Sequence, residues 1–144
     1  MGNVASTTRG NNSVSLNDQG SPTITGVSLA SDNGTIAVAM SESVYNTNGS
    51  SGALEASDFA FSISCGVAGL SAPTPTSISF SGNVYTLGIS LNAAPNGAET
   101  PTLTLIDNAI FDSKGNVSSM TQSNNYAILN DNTVATITCV SLAP

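Results

Sequence analysis

The sequence predicts an all-β protein, an antiparallel sandwich of about seven strands. Short apolar runs alternate with polar residues at the period of two that a half-buried strand requires. Clusters of Gly, Asn, Asp, Pro and Ser separate these runs, as turns between strands do. Charged residues make up only 8% of the chain, and Ser, Thr, Asn and Gly, which favour strands and turns over helix interiors, fill the gap.

Seven strand signals follow one another along the chain. The third places Phe59, Phe61 and Ile63 on one face. The fourth and fifth are separated by residues 81–83, Ser-Gly-Asn, a short loop that predicts a hairpin. Only residues 52–57 hint at a helical turn. In chain order the strand signals are residues 23–29, 35–40, 59–64, 77–80, 84–91, 102–106 and 126–129.

Seven short strands without helices indicate an Ig-like sandwich, with a jelly roll or a barrel as the alternative. A chain of 144 residues, 40% of them hydrophobic, is long and apolar enough for one domain with a core.

The two ends of the chain are copies of each other. Residues 2–30 and 115–143 align without a gap at an offset of 113, and 17 of the 29 positions are identical. This period is too long for a solenoid unit and suits an independent sandwich of roughly 100 residues. We therefore expect residues 1–20 to be the end of a preceding repeat or an N-terminal donor segment. Residues 21–131 form the complete domain, and 132–144 the first strand of the next repeat or a C-terminal donor strand.

The charge balance excludes several partners. The net charge is −7, and Arg9 and Lys114 are the only cations, too few to bind a nucleic acid or an anionic membrane surface. No apolar run approaches the roughly 20 residues that span a bilayer. The uncharged polar composition is typical of secreted β-proteins, so we expect an extracellular or cell-surface location. No signal peptide is recognisable, so we expect a mature or excised segment of a longer protein.

The sequence gives little support for catalytic activity. The chain has no His, which removes the usual proton shuttle. Lys114 lies beside Gly115 in a predicted turn, where an exposed role is favoured over a Ser–Lys pair or a Lys–Asn cross-link. The nine acidic residues are spread over turns rather than paired for glycoside hydrolysis. We expect no enzymatic activity.

Four short segments resemble the bacterial Ig-like repeats of large surface proteins and adhesins. The segment Ala-Met-Ser-Glu-Ser-Val-Tyr is similar to the F-S-E-x-V stretch of that family, and Asp-Ser-Lys-Gly-Asn is similar to its D-x-x-G-N. Together with Val-Ser-Leu and Ala-Ser-Asp-Phe, these segments are residues 39–45, 112–116, 27–29 and 56–59. The resemblance spans essentially residues 21–131 and implies a spacer, stalk or filament unit outside a cell. The two cysteines depart from a family that is usually cysteine-free.

Calcium is the strongest chemical alternative, because hard cations take carboxylate and carbonyl oxygens. Asp107, Asp112 and Asn116 lie close in sequence around one loop. Asp131 lies in an Asn-Asp-Asn stretch that resembles part of the cadherin linker, where calcium stiffens tandem domains. The simpler interpretation is that these residues form turns. We expect no cofactor other than calcium.

Sequons and cysteines suggest two modifications. The pattern N-x-[ST] occurs in predicted turns or linkers, where glycans could be attached. The four candidates are Asn11, Asn33, Asn48 and Asn116. Cys139 aligns with Gly26 of the first strand, so Cys139 of one unit could form a disulfide with Cys65 of the next. A disulfide within one chain, which would need residues 132–144 to fold back, and two unpaired cysteines remain alternatives.

These features predict a non-catalytic structural subunit of an extracellular filament, stalk or fibre. An isolated strand leaves its backbone groups unpaired and must find a sheet edge, and the two terminal segments are such strands. We expect copies of the chain to join head to tail by strand sharing, as in donor-strand complementation, which propagates an open filament. The alternative is a calcium-dependent adhesion or carbohydrate-binding Ig-like module. An accessory domain of an enzyme is a third possibility.

Overall fold

The computed structural model describes residues 14–136. Their regular structure consists of short antiparallel strands and one 3-10 turn, Ala56–Asp58. The all-β prediction is confirmed, and the hint of a helical turn is met by the 3-10 turn. The strands are β1 (Ile24–Leu29), β2 (Thr35–Met40), β3 (Phe59–Ser64), β4 (Ile78–Ser81), β5 (Val84–Gly88) and β6 (Thr100–Leu105).

The first sheet has four strands in the order β1-β2-β5-β4, all antiparallel. The β1–β2 hairpin is interrupted between Ile24 and Gly26 by a register shift. The predicted β4–β5 hairpin is confirmed, since Ser81 pairs with Val84 across a two-residue turn in which Gly82 has a φ of 57°. Glycine suits this position because its lack of a Cβ makes positive φ inexpensive.

The second sheet pairs β3 with β6, and a further extended segment continues it. Tyr126 bridges to Thr102, and Leu129 N–H donates to the Glu99 carbonyl at 3.0 Å. Segment 125–129 thus lies along the outer edge of β6, where the seventh strand was predicted. With it, the six named strands give the expected count of about seven.

The core lies between the two sheets. Alternate side chains of β2, among them the fully buried Val38, face Phe61 of β3 and Leu103 of β6 in one apolar cluster. The ring of Phe59 lies 6.2 Å from that of Tyr85, centroid to centroid, and links the sheets. Two antiparallel sheets around a shared core have the character of a β-sandwich.

Two strand boundaries differ from the sequence prediction by two residues or more. β5 ends at Gly88 rather than at residue 91, because Ile89 N–H donates to Gly34 and the chain then turns to pair Leu91 with Leu70. β6 begins at Thr100 because Pro101, which lacks an N–H, still pairs through its carbonyl, an acceptor for Ala127. Within residues 14–136, no helix has the length and apolarity to cross a membrane.

Candidate functional site

Three carboxylates converge where the chain enters β1. Asp18 precedes β1, Glu42 follows β2, and Asp112 follows β6. One carboxylate oxygen from each lies within 4.8 Å of the others. We call these residues the carboxylate cluster and this end of the domain the N-terminal pole. Carboxylate oxygens at this spacing are suitable ligands for a hard cation such as Ca²⁺.

Asp112 is the buried member, and its surroundings hold it charged. Its Oδ1 accepts hydrogen bonds from the backbone N–H groups of Lys114 and Asn116, and its Oδ2 accepts one from Asn116 Nδ2 at 2.7 Å. Burial raises the pKa of Asp112, but the bonds from Asn116 and then Lys114 outweigh it, so the pKa lies below its ordinary value. Asn116 Nδ2 also donates to the carbonyl of Asp18 at 3.2 Å.

Electrostatic repulsion within the carboxylate cluster contributes to the pKa of Glu42. Burial, and then the charges of Asp112 and Asp18, raise the pKa of Glu42. A cation bound at this point would relieve both the repulsion and part of the desolvation cost.

A second polar group accompanies the carboxylate cluster. Ser118 is 3% exposed, and its Oγ finds no hydrogen-bond partner among residues 14–136. Ser118 N–H donates to Ile110, and Asp112 N–H donates to Asn116. This antiparallel pairing places Ser118 on the same face as Asp112. Buried hydroxyls normally have a partner, so this orphaned oxygen, opposite Ile110 and two residues along the strand from the Asp112 pair, is a polar group that a bound water or ion would satisfy.

The predicted calcium ligands are only partly brought together. Asp112 and Asn116 meet as expected, but Asp107 is exposed in a separate turn outside the carboxylate cluster. Asp131 lies at the opposite end of β6, where its Oδ1 accepts the Thr133 N–H at 2.8 Å. Sequence reasoning did not propose Asp18 or Glu42, although Asp18 is the aligned copy of Asp131.

The other end of the domain, the C-terminal pole, is closed by a pair of asparagines. Asn130 N–H donates to Asn33 Oδ1 at 2.8 Å, and Asn33 Nδ2 donates to the Asn130 carbonyl at 3.0 Å. Leu129 beside them is 2% exposed. The end of segment 125–129 is therefore fastened to the β1–β2 turn.

The N-terminal copy of this segment has no such burial. Val14 and Leu16 are 87% and 92% exposed. Their aligned positions in the domain are Ala127, which is half-buried, and Leu129. Residues 14–16 thus carry the inward-facing pattern of a last strand without a core to cover.

The sequons differ in accessibility. Asn48 has an exposed side chain. Asn33 is 3% exposed, and its amide is engaged with Asn130, while the Asn116 amide is engaged with Asp112 and Asp18. A glycan on Asn116 would remove one of its two donated hydrogen bonds, and a glycan on Asn33 would have to leave from a buried amide. Asn11 lies outside the described residues.

The structure describes one of the two cysteines that were predicted to pair. Cys65 is exposed and follows β3 at the C-terminal pole, with a φ of 64°. Cys139 lies outside the described residues. Its aligned position, Gly26, has room for a side chain, because a Cβ built there meets nothing within 4 Å.

A surface groove of about 390 Å³ runs beside the exposed Phe80, which stacks on Tyr85 at 5.7 Å between ring centroids. Tyr126, another exposed aromatic, lies on the second sheet. The exposed rings of Phe80 and Tyr126 therefore lie on different sheets rather than together on one sugar-binding face.

Comparison of the chain with protein-family models, with curated proteins and with solved structures found no match.

Proposed function

We propose that this chain is a non-catalytic structural unit of an extracellular filament, stalk or surface fibre, built of Ig-like repeats joined head to tail by strand sharing. The observation that carries the proposal is the contrast between two copies of one strand. Leu129 is buried under its own domain, whereas the aligned Leu16 is 92% exposed. Burying such a side chain is worth about 1.5–3 kcal/mol, so burial of Leu16 in the core of a neighbouring unit would stabilise the contact between units by about this amount.

Strand sharing takes one of two forms. In a continuous chain, residues 14–16 are the last strand of the repeat that precedes β1. Between separate chains, the position along β6 is already held by segment 125–129, so a donated strand must replace the resident one, as in domain swapping. Both forms place units end to end.

The test is self-association measured by sedimentation over a range of concentrations. Leu16→Asp should weaken head-to-tail association by about 10- to 100-fold, since it forfeits the burial of one leucine. Val134→Asp is the matched control, because Val134 is 84% exposed and its aligned residue, Ser21, is also exposed. A parent chain that stays monomeric at high concentration, or a Leu16→Asp variant that associates normally, contradicts strand sharing between chains.

The second candidate is a calcium-dependent adhesion or carbohydrate-binding module of the same location. The carboxylate cluster favours the calcium part of this alternative, together with the orphaned Ser118 hydroxyl. Glycans are a further candidate partner, but exposed aromatic side chains that are divided between two sheets do not form a single sugar-binding face.

Thermal unfolding with CaCl₂ or with EDTA distinguishes the two candidates. A calcium concentration of 100 times Kd stabilises a folded site by about 2.7 kcal/mol and raises Tm accordingly. Glu42→Gln should abolish this shift, whereas Asp107→Asn, at an exposed acid outside the carboxylate cluster, should retain it. An identical Tm for the parent in calcium and in EDTA would remove the calcium alternative.

A further inference from the structure

The Leu-Asn-Asp motif occurs twice, at residues 16–18 and 129–131, and the structure describes both copies. Asp18 Oδ1 accepts the backbone N–H of Gly20 at 2.8 Å, and Asp131 Oδ1 accepts that of Thr133 at 2.8 Å. In each copy the backbone N–H two positions after the Asp donates to the same carboxylate oxygen. The two copies are thus locally equivalent, and each shows one side of a junction between repeats.

The second copy shows how the motif leaves a domain. Leu129 is buried in that domain, and Asn130 exchanges two hydrogen bonds with the buried Asn33. The backbone remains attached one residue further, since Asn132 N–H donates to the Pro95 carbonyl at 2.9 Å. The Leu and the Asn of the motif therefore belong to the repeat that precedes the junction.

The first copy shows how the motif enters a domain. The carbonyl of Asp18 accepts Asn116 Nδ2, which at the same time donates to Asp112. Four residues later, Pro22 is fully buried at the start of β1. The Asp of the motif therefore belongs to the repeat that follows the junction.

Placed together at the offset of 113, the two sets of anchors overlap at the Asp of the motif, because Asn132, which the preceding repeat holds, aligns with Gln19. We propose that a repeat and the one that follows it form a single stiff unit, because the Asn of the motif is held by the repeat before it and the adjacent Asp by the repeat after it. The partner of the C-terminal pole is thus the N-terminal pole of a second copy. This inference rests on the proposed head-to-tail order of repeats.

The junction brings defined groups together. The C-terminal pole contributes the 95–97 loop and the turn around Asn33, and the N-terminal pole contributes Glu42 and the 112–116 loop. The contact is polar, with amides and backbone groups on one side and amides and carboxylates on the other. Such a contact gains its stiffness from fixed hydrogen bonds rather than from apolar area.

The test uses a two-repeat protein that contains the full chain, with residues 1–131 followed directly by residues 19–144. In a Cys139→Ser background, Cys65 of each repeat is an exposed labelling position. Electron–electron distance measurements between spin labels at the two Cys65 positions should give one narrow distribution. Insertion of Gly-Ser-Gly-Ser between Asn130 and Asp131 of the first repeat adds about 11 Å of flexible reach and should broaden the distribution on that scale.

Asn116→Ala in the second repeat is an independent variant. It removes the hydrogen bond from Asn116 Nδ2 to the backbone carbonyl of the motif Asp, and it should also broaden the distribution. Asn124→Ala in the same repeat is the matched control, since Asn124 is exposed, and it should leave the distribution narrow. A native junction as broad as the insertion variant overturns the inference. That result leaves self-association untouched, whereas a narrow distribution in a protein that never associates supports the junction and contradicts strand sharing between separate chains.

Discussion

At the scale of single residues, two buried polar side chains, those of Glu99 and Asn33, are satisfied largely by groups of distant segments. Glu99 is fully buried, and its carboxylate accepts the N–H groups of Val67, Ala68 and Asn96. Asn33 is held by Asn130 in the same manner and has a φ of 60°, a left-handed conformation that Asn tolerates better than most residues. These two side chains fasten the loops of the C-terminal pole, where few apolar contacts are available.

Substitution of Asn33 separates its two roles. Asn33→Gly keeps the left-handed conformation but loses the amide bonds, which should cost about 1–3 kcal/mol of unfolding free energy. Asn33→Ala should cost about 1–2 kcal/mol more, because a Cβ disfavours that conformation. Urea denaturation measures both, with Asn48→Ala at an exposed position as the control. Equal stability of the Gly and Ala variants would contradict the proposed conformational role.

At the scale of elements, two aligned segments of the chain have different environments. Segment 125–129 is held by backbone hydrogen bonds to β6 and by Leu129 in the core, whereas residues 14–16 are exposed. Leu16 and Leu129 are the same residue at aligned positions, so their different burial follows from whether a sheet edge and a core lie beside the segment. A last strand is stable here only where it completes a core.

The aligned leucines test this difference directly. Leu129→Ala should lower the unfolding free energy by about 2–5 kcal/mol, since it leaves a cavity at a fully packed position. Leu16→Ala should change it by less than about 0.5 kcal/mol in dilute solution, since Leu16 contacts no core there. Equilibrium denaturation at low protein concentration gives both values. A comparable loss from both variants would mean that residues 14–16 pack on the domain of their own chain.

At the scale of the whole molecule, the carboxyl groups with shifted pKa values are of two kinds. Those held by hydrogen bonds, above all Glu99, favour the folded protein when ionised. Burial by itself raises the pKa of Glu99, but the hydrogen bonds from Ala68, Val67 and Asn96 lower it to about 2, from an ordinary value of 4.5. Glu42 and Asp58, whose pKa values are raised chiefly by burial, have the opposite effect.

Acid should therefore destabilise the protein through Glu99. A carboxyl whose pKa is depressed in the folded state contributes its full stability above pH 4.5 and loses it progressively as the pH falls toward 2. Glu99→Gln should lower Tm at pH 7 by several degrees and flatten the decline of Tm between these two pH values. Asp107→Asn, at an exposed turn, serves as the control. A Glu99→Gln variant with the parent's pH profile would show that another carboxyl governs acid unfolding.

Much of the fold was accessible from the sequence because it depends on local patterns. Strict alternation located β2 and β3 to the residue, and a Gly-Asn turn located the β4–β5 hairpin. The predicted end of β5 was wrong because Gly88 and Ile89 form backbone hydrogen bonds with other segments of the chain, which local sequence does not reveal. Only one of the three members of the carboxylate cluster, Asp112, was among the predicted ligands, and Glu42 is 70 residues from it.

The sequence by itself determined the all-β class, the strand periodicity and the duplication of the terminal segments, because these are properties of residue order. Only the tertiary structure decided which copy is buried, which acids meet and which sequon is accessible. The physical reason is that burial and electrostatic interaction depend on distances between chain segments, which sheet pairing sets. Asn33 illustrates it: an Asn in a turn sequence is ordinarily exposed, and it is the return of Asn130 across 97 residues that buries it.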